Sequence, residues 1–276
     1  MLNKVSETTM HRVRWLLTLG WLTLIASFFY DPFTGFFTQE TNFASPFRLR
    51  PEIYLDADLC VKIRDACMPE RPFAMGALMW WAMIVPAGIF ILLVFGHEFW
   101  RRICPLSFLS QIPRALGIQR KRKVIDPITG ELRRELVAIS PDSWLGRHHL
   151  YVQFGLFVLG LGGRILFTNS DRIALGSFLI ATIFCAILVG YLFAGKSWCH
   201  YFCPMAPVQM VYTGPRSLLG SQAHMVPKPA VTQSMCRTVD AATGNDRSAC
   251  VNCKMPCIDI DAEKAYWTEL SKPGRR

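Results

Sequence analysis

The sequence predicts an all-α integral membrane protein whose four transmembrane helices form two parallel hairpin repeats, followed by a cysteine-rich tail. Three observations carry that expectation. Of the 276 residues, 51% are hydrophobic and 18% charged, with a mean hydropathy of +0.26. Lys and Arg number 30 against 20 Asp and Glu, a net charge of +10, so the chain is apolar and basic at once. That combination excludes intrinsic disorder and a soluble secreted disulfide scaffold. Ten unevenly spaced cysteines point instead to a cofactor.

Four apolar stretches, 15–30, 73–95, 150–167 and 173–194, supply the spans, since a helix needs roughly 20 residues to cross a bilayer. The first is short unless Arg12 and Arg14 snorkel, and the third carries Arg164 near one end. No small-residue cleavage pattern follows the first stretch, which reads as a signal anchor.

Loop charges set the orientation. After the second stretch come Arg101, Arg102, Arg114, Arg120, Lys121, Arg122, Lys123, Arg133, Arg134 and Arg147, against Asp126, Glu131, Glu135 and Asp142, so this loop is expected in the cytoplasm. Between the first two stretches, seven acidic residues outweigh five basic ones, while Lys4, Arg12 and Arg14 hold the N-terminus inside. The expected layout is a first hairpin at 1–99 with an external loop at 31–72, a basic cytoplasmic loop at 100–149, a second hairpin at 150–198 and a cytoplasmic cysteine-rich segment at 199–276. Both termini then lie on the cytoplasmic side of a bacterial inner membrane. Arg120, Lys121, Arg122 and Lys123 enforce this topology and touch anionic membrane lipid; with no interleaved aromatics they make no nucleic-acid site.

Two segments repeat. Phe99-Trp100-Arg101-Arg102-Ile103-Cys104-Pro105 closes the second span, and Trp198-Cys199-His200-Tyr201-Phe202-Cys203-Pro204 closes the fourth. Pro113-Arg114 and Pro215-Arg216 follow them, which suggests two hairpins related by an axis along the membrane normal. In this alignment Trp100 stands where the second copy has Cys199.

The tail carries Cys250, Cys253 and Cys257 as C-x2-C-x3-C. In register with the bacterial ferredoxin run C-x2-C-x2-C-x3-C-P they take its second, third and fourth ligand positions, with Arg247 in place of the first cysteine and Ile258 in place of the proline. Cys236 is the nearest fourth ligand in sequence, and Cys104, Cys199 and Cys203 lie on the same expected side. Cys199-x3-Cys203-Pro204 is itself the closing half of a ferredoxin run. These thiols suffice for one [4Fe–4S] cluster; a second needs a non-cysteine ligand or a partner chain. Tetrahedral zinc in a structural subunit uses similar spacings, and soft thiolates also select Cu(I), as in a copper-handling or cupric-reducing assembly factor.

Cys60 and Cys67, in the external loop, are a candidate disulfide, with a redox relay as the sharper alternative. Cys185 reads as a packing residue within the fourth span. His97, His148 and His149 lie at helix ends; haem is not expected there, and with Glu98 they are candidates for proton handling at a quinone site. Gly160, Gly162 and Gly163 read as a point of close helix packing.

Taken together, Cys199-His200-Tyr201-Phe202-Cys203-Pro204, the partial copy from Trp100 to Pro105 and the run from Cys250 to Cys257 resemble membrane iron–sulfur proteins related to the polyferredoxin-like quinol dehydrogenase subunit of periplasmic nitrate reductase systems. The same group includes the membrane regulator of nitrous oxide reduction and a cytochrome oxidase assembly protein. The resemblance covers the region from about the second span to the end, and the chain departs from it at Trp100, Arg247 and Ile258. It implies a membrane domain of four or more helices with cytoplasmic ferredoxin-like [4Fe–4S] segments. It also implies an oxidoreductase-type electron-transfer component, often fed by quinol and serving a redox partner protein or larger membrane complex.

Overall fold

The computed structural model describes residues 7–49, 61–63, 66–68, 73–125, 130, 132–140, 142–169, 171–193, 197–208, 237–239 and 246–248. Four helices within it are long and apolar enough to cross a membrane, at His11–Phe29, Gly76–Phe95, Trp144–Thr168 and Arg172–Leu192, with 19, 20, 25 and 21 residues. At 1.5 Å per residue such lengths match a hydrocarbon core of about 30 Å.

The first, α1 (Glu7–Phe29), buries a stripe spaced four, three, four and three residues apart: Arg14, Thr18, Trp21, Ile25 and Phe28. That spacing keeps one helical face toward the bundle. Arg14 lies on this stripe and is only 2% exposed, whereas Arg12 lies off it and is exposed.

After α1, Asp31 accepts hydrogen bonds from the Thr34 amide (2.8 Å) and hydroxyl, and Thr34 in turn accepts from the Met75 amide (2.8 Å). Thr38, at the end of α2 (Gly35–Thr38), exchanges bonds with the Phe73 amide (3.0 Å) and carbonyl (2.9 Å). These bonds close the two ends of the connection between the first two spans. Within it, β1 (Val61–Ile63) and β2 (Ala66–Met68) pair antiparallel.

The second span is α3 (Gly76–Met79), a π turn at Trp80–Ile84 and α4 (Val85–Ile103). Pro86 has no amide for the Ala82 carbonyl, and its ring crowds that carbonyl, so the ladder loosens where the π turn lies. The segment expected as the 100–149 loop is largely structured among its described residues. It holds the end of α4, α5 (Pro105–Leu109), α6 (Ile112–Ala115) and an antiparallel ribbon of β3 (Lys121–Ile125) and β4 (Leu132–Leu136). α7 (Trp144–Gly163) starts at Trp144 and not at 150, because the Ser143 hydroxyl accepts from the Gly146 amide (3.0 Å) and caps it there. A second π turn, Arg164–Thr168, extends α7, and α8 (Arg172–Leu192) begins at the Asp171 cap, whose carboxylate accepts from the Ile173 (2.7 Å) and Ala174 (3.3 Å) amides. β5 (Arg237–Val239) and β6 (Asp246–Ser248) form a last ribbon.

α1 packs antiparallel on α8. At one end Ile25 and Phe28 meet Leu175 and Leu179, with Trp80 and Trp81 against them, and Gly176 lets the Phe29 ring approach. At the other end the Trp15 and Phe108 rings meet edge to face at 5.1 Å. The glycines of α7 behave differently from expectation: a Cβ on Gly160, Gly162 or Gly163 would meet nothing within 4 Å. The middle of α7 faces outward, with Val158 and Leu159 exposed; its described contacts are at its ends, with the Trp198–Phe202 turn and through Arg164 over the Trp81 ring at 4.2 Å.

Candidate metal centre

Both Cys-Pro pairs end a helix in the same way. Cys104 and Cys203 each have φ −61° and ψ 117°. The proline ring that follows clashes with an α conformation in the residue before it, so each cysteine turns out of the helix. Pro105 then starts α5, where its missing amide costs nothing.

The hydrogen bonds behind the two cysteines differ by one residue. The Cys104 amide donates to the Trp100 carbonyl (2.8 Å), four residues back, and the Cys203 amide to the Trp198 carbonyl (2.8 Å), five back. Trp198–Phe202 is therefore a π turn. In this frame Trp100 corresponds to Trp198, which corrects the alignment of Trp100 with Cys199: Cys199 lies within a turn one residue longer than its counterpart. Single π turns of this kind occur disproportionately at functional sites.

Cys199 is 4% exposed, and Cys203 is half-buried beside it in an apolar cluster with Ala186, Val189, Trp198 and Leu106. Cys199 Sγ donates to Ser107 Oγ, from α5, at 3.2 Å. Two features hold α5 close. A Cβ on Gly190 would fall 1.9 Å from the Ser110 carbonyl oxygen, so only glycine permits this crossing of α8. Gln119 Nε2 donates to the Gly190 carbonyl (2.8 Å) and the Arg120 amide to that of Tyr191 (3.0 Å).

On the other side, α7 packs against the turn through polar residues. Gln153, 1% exposed, donates from Nε2 to the His200 carbonyl (2.9 Å), while its Oε1 is buried with no partner. His149 is buried, bonds the Gly146 carbonyl through Nδ1 (2.9 Å), and stacks on His200 with ring centroids 5.4 Å apart. Tyr201 packs edge-on to both rings, and burial pushes its hydroxyl pKa up, so it stays protonated at neutral pH.

Among the sequence-predicted site residues, Cys199 and Cys203 come together, and Cys104 is half-buried at the first exit. Cys236, Cys250, Cys253, Cys257 and Cys60 lie outside the described residues; Cys67 is in β2, so the Cys60–Cys67 pair falls outside them too. Cys185 is exposed on α8, which corrects its reading as a packing residue. His97 and Glu98 lie on α4, and His148 stacks on Trp144 at 5.3 Å. The sequence reading missed Ser107 and Gln153. Gln153 carried a usable signal, since a polar side chain inside an apolar span is costly and tends to serve a purpose.

Two thiols on a short turn in apolar surroundings suit a soft metal or cluster in kind. They supply two of the roughly four thiolates that a cubane takes. Among the described residues no three His, Cys, Asp or Glu side chains gather as a metal-binding group. Residues 177–220 match the family model described as a 4Fe-4S binding domain, a segment that begins in α8 and includes Cys185, Cys199, Cys203 and Pro204. No curated protein and no solved structure matches the chain. On a chain with four helices long enough to cross a membrane, that match supports a ferredoxin-type iron–sulfur protein.

Proposed function

We propose that this chain is a membrane-bound electron-transfer protein. It takes electrons from quinol or a cytoplasmic donor and passes them through a [4Fe–4S] cluster to a redox partner protein. The family match over Cys199-x3-Cys203-Pro204 carries the reading. Cys199 and Cys203 are two ligands, and two of the tail thiols Cys236, Cys250, Cys253 and Cys257 complete the set of four. The cluster, when bound, provides one-electron storage. Pro204 ends the turn so that both thiols face one place, Trp198 and Phe202 exclude water, and Gln153 ties the His200 backbone to α7.

The contact of Cys199 with Ser107, which joins the two Cys-Pro segments, supports two parallel hairpins with both exits on one side. The basic residues from Arg101 to Arg147 favour that side as the cytoplasm of a bacterial inner membrane, with both termini there. The test is to add a reduced quinol analogue to anaerobically purified protein in nanodiscs. The reading predicts a reduced-cluster electron paramagnetic resonance signal, lost in the Cys199→Ser, Cys203→Ser double variant. A cluster that only a cytoplasmic-type donor reduces removes quinol from the account.

A second reading has its own observation. Cys199 and Cys203 are two neighbouring thiols without a third metal-binding side chain gathered beside them among the described residues, and a thiol pair suits Cu(I). Copper at one per chain, with no iron, favours a copper-handling role.

A further inference from the structure

Cys199 meets a polar side chain from the other Cys-Pro segment, 92 residues away in sequence: Ser107 Oγ, 3.2 Å from its sulfur. Ser107 is 1% exposed. It is the third residue of α5, directly after Cys104-Pro105, and Leu106 beside it packs into the cluster that holds Cys199 and Cys203. The placement is fixed from several directions. Ser110 Oγ donates to the Ser107 carbonyl (2.8 Å), the Ser110 backbone rests on Gly190, and Gln119 clamps the Gly190 carbonyl.

We infer that Ser107 is a positioning residue that sets the reduction potential of the cluster held by Cys199; this rests on the reading of Cys199 as a ligand. In the structure the Cys199 thiol donates to Ser107 Oγ; a cysteine ligand is a thiolate and accepts only, so in the cluster-bound protein the direction reverses and the hydroxyl donates to it. One-electron reduction adds negative charge to the cluster and its sulfurs. A hydrogen bond to a ligand sulfur therefore stabilises the reduced form more than the oxidised form and raises the potential. In apolar, water-excluding surroundings such a bond is stronger than in water. The first Cys-Pro segment thereby acts on the metal chemistry of the second.

Potentiometric titration followed by electron paramagnetic resonance, on anaerobically purified full-length protein in nanodiscs, tests this. Ser107→Ala is expected to keep its iron and to lose about tenfold in the equilibrium constant for reduction, about 59 mV downward for a one-electron couple. Ser107→Thr, which keeps the hydroxyl, is expected to titrate near wild type. A Ser107→Ala midpoint equal to wild type overturns the inference. If Ser107→Ala holds no iron, Ser107→Thr and Ser107→Val decide, being alike in shape and different in the hydroxyl. A midpoint lower in Val than in Thr supports the inference, and equal midpoints, or no iron in either, overturn it. Iron-free wild type, or a Cys199→Ser variant with unchanged iron and midpoint, overturns the ligand reading as well, whereas an unchanged Ser107→Ala midpoint with Cys199-dependent iron overturns the inference alone.

Discussion

Gly190→Ala measures how tightly the two Cys-Pro segments are locked together. The added Cβ would lie 1.9 Å from the Ser110 carbonyl oxygen and 2.9 Å from its carbon, and both are backbone atoms that no rotamer change can move. Ordinary contact begins near 3.4 Å, so α8 and the turn after α5 must separate by roughly 1.5 Å. That shift stretches the 2.8 Å bond from Gln119 to the Gly190 carbonyl and the 3.0 Å bond from Arg120 to that of Tyr191. Overpacking costs about 1–3 kcal/mol and each lost hydrogen bond about 0.5–1.5 kcal/mol, offset by about 1 kcal/mol from the better helix propensity of alanine. The net expectation is a destabilisation of about 1–5 kcal/mol. Gly160→Ala is the control, because nothing lies within 4 Å of its Cβ position. Fluorescence-detected size exclusion after stepwise heating in detergent should show Gly190→Ala melting several degrees below wild type and Gly160→Ala at or above it. If Gly190→Ala melts with Gly160→Ala, the close crossing, and the seating of Ser107 that depends on it, is wrong.

Further expectations concern single side chains. Gln153→Leu strips the buried His200 carbonyl of its donor, at a cost of about 1–3 kcal/mol, and should speed alkylation of Cys199 in metal-free protein. Asp171→Ala removes the cap of α8 and should lower stability by about 0.5–2 kcal/mol in the same heating assay. For Asp31, burial works to raise the pKa, but hydrogen bonds from the Thr34 hydroxyl and the Thr34 and Phe33 amides, with the Arg172 charge, outweigh it and hold the carboxyl below its usual range. Its folded pKa is therefore depressed, so its contribution is present above the unfolded value and lost as pH falls through the folded one. Acidification below about pH 4 should loosen the Thr34–Met75 junction in wild type, seen as faster amide exchange, with a smaller pH response in Asp31→Asn. An impermeant thiol reagent on intact cells, after reduction, should reach Cys60 and Cys67 and leave Cys250 untouched; labelling of Cys250 overturns the orientation.

The parts of this fold that were legible in the sequence are those decided locally. Apolar runs mark the four spans whatever they pack against, and a proline forces the residue before it out of a helix, so the Cys104 and Cys203 exits could be read directly. The four-three spacing from Arg14 to Phe28 was also present to be read. Other features depend on partners distant in the chain. Gly160, Gly162 and Gly163 look like a packing motif but face outward, while Gly190, alone in an apolar run, carries the closest approach; only the placement of α5 against α8 separates them. The extra residue of the Trp198–Phe202 turn is a choice between a bond four or five residues back, which leaves no mark in residue type. The Ser107–Cys199 contact joins segments whose proximity comes from helix packing alone.

Counting metal and sulfide in protein purified without oxygen tests for the cluster itself. An iron–sulfur protein will carry about four irons and four acid-labile sulfides for each [4Fe–4S] cluster, with iron falling sharply in Cys253→Ala and in the Cys199→Ser, Cys203→Ser double variant. Wild-type protein that carries stoichiometric zinc or copper, with neither iron nor sulfide, contradicts the iron–sulfur reading.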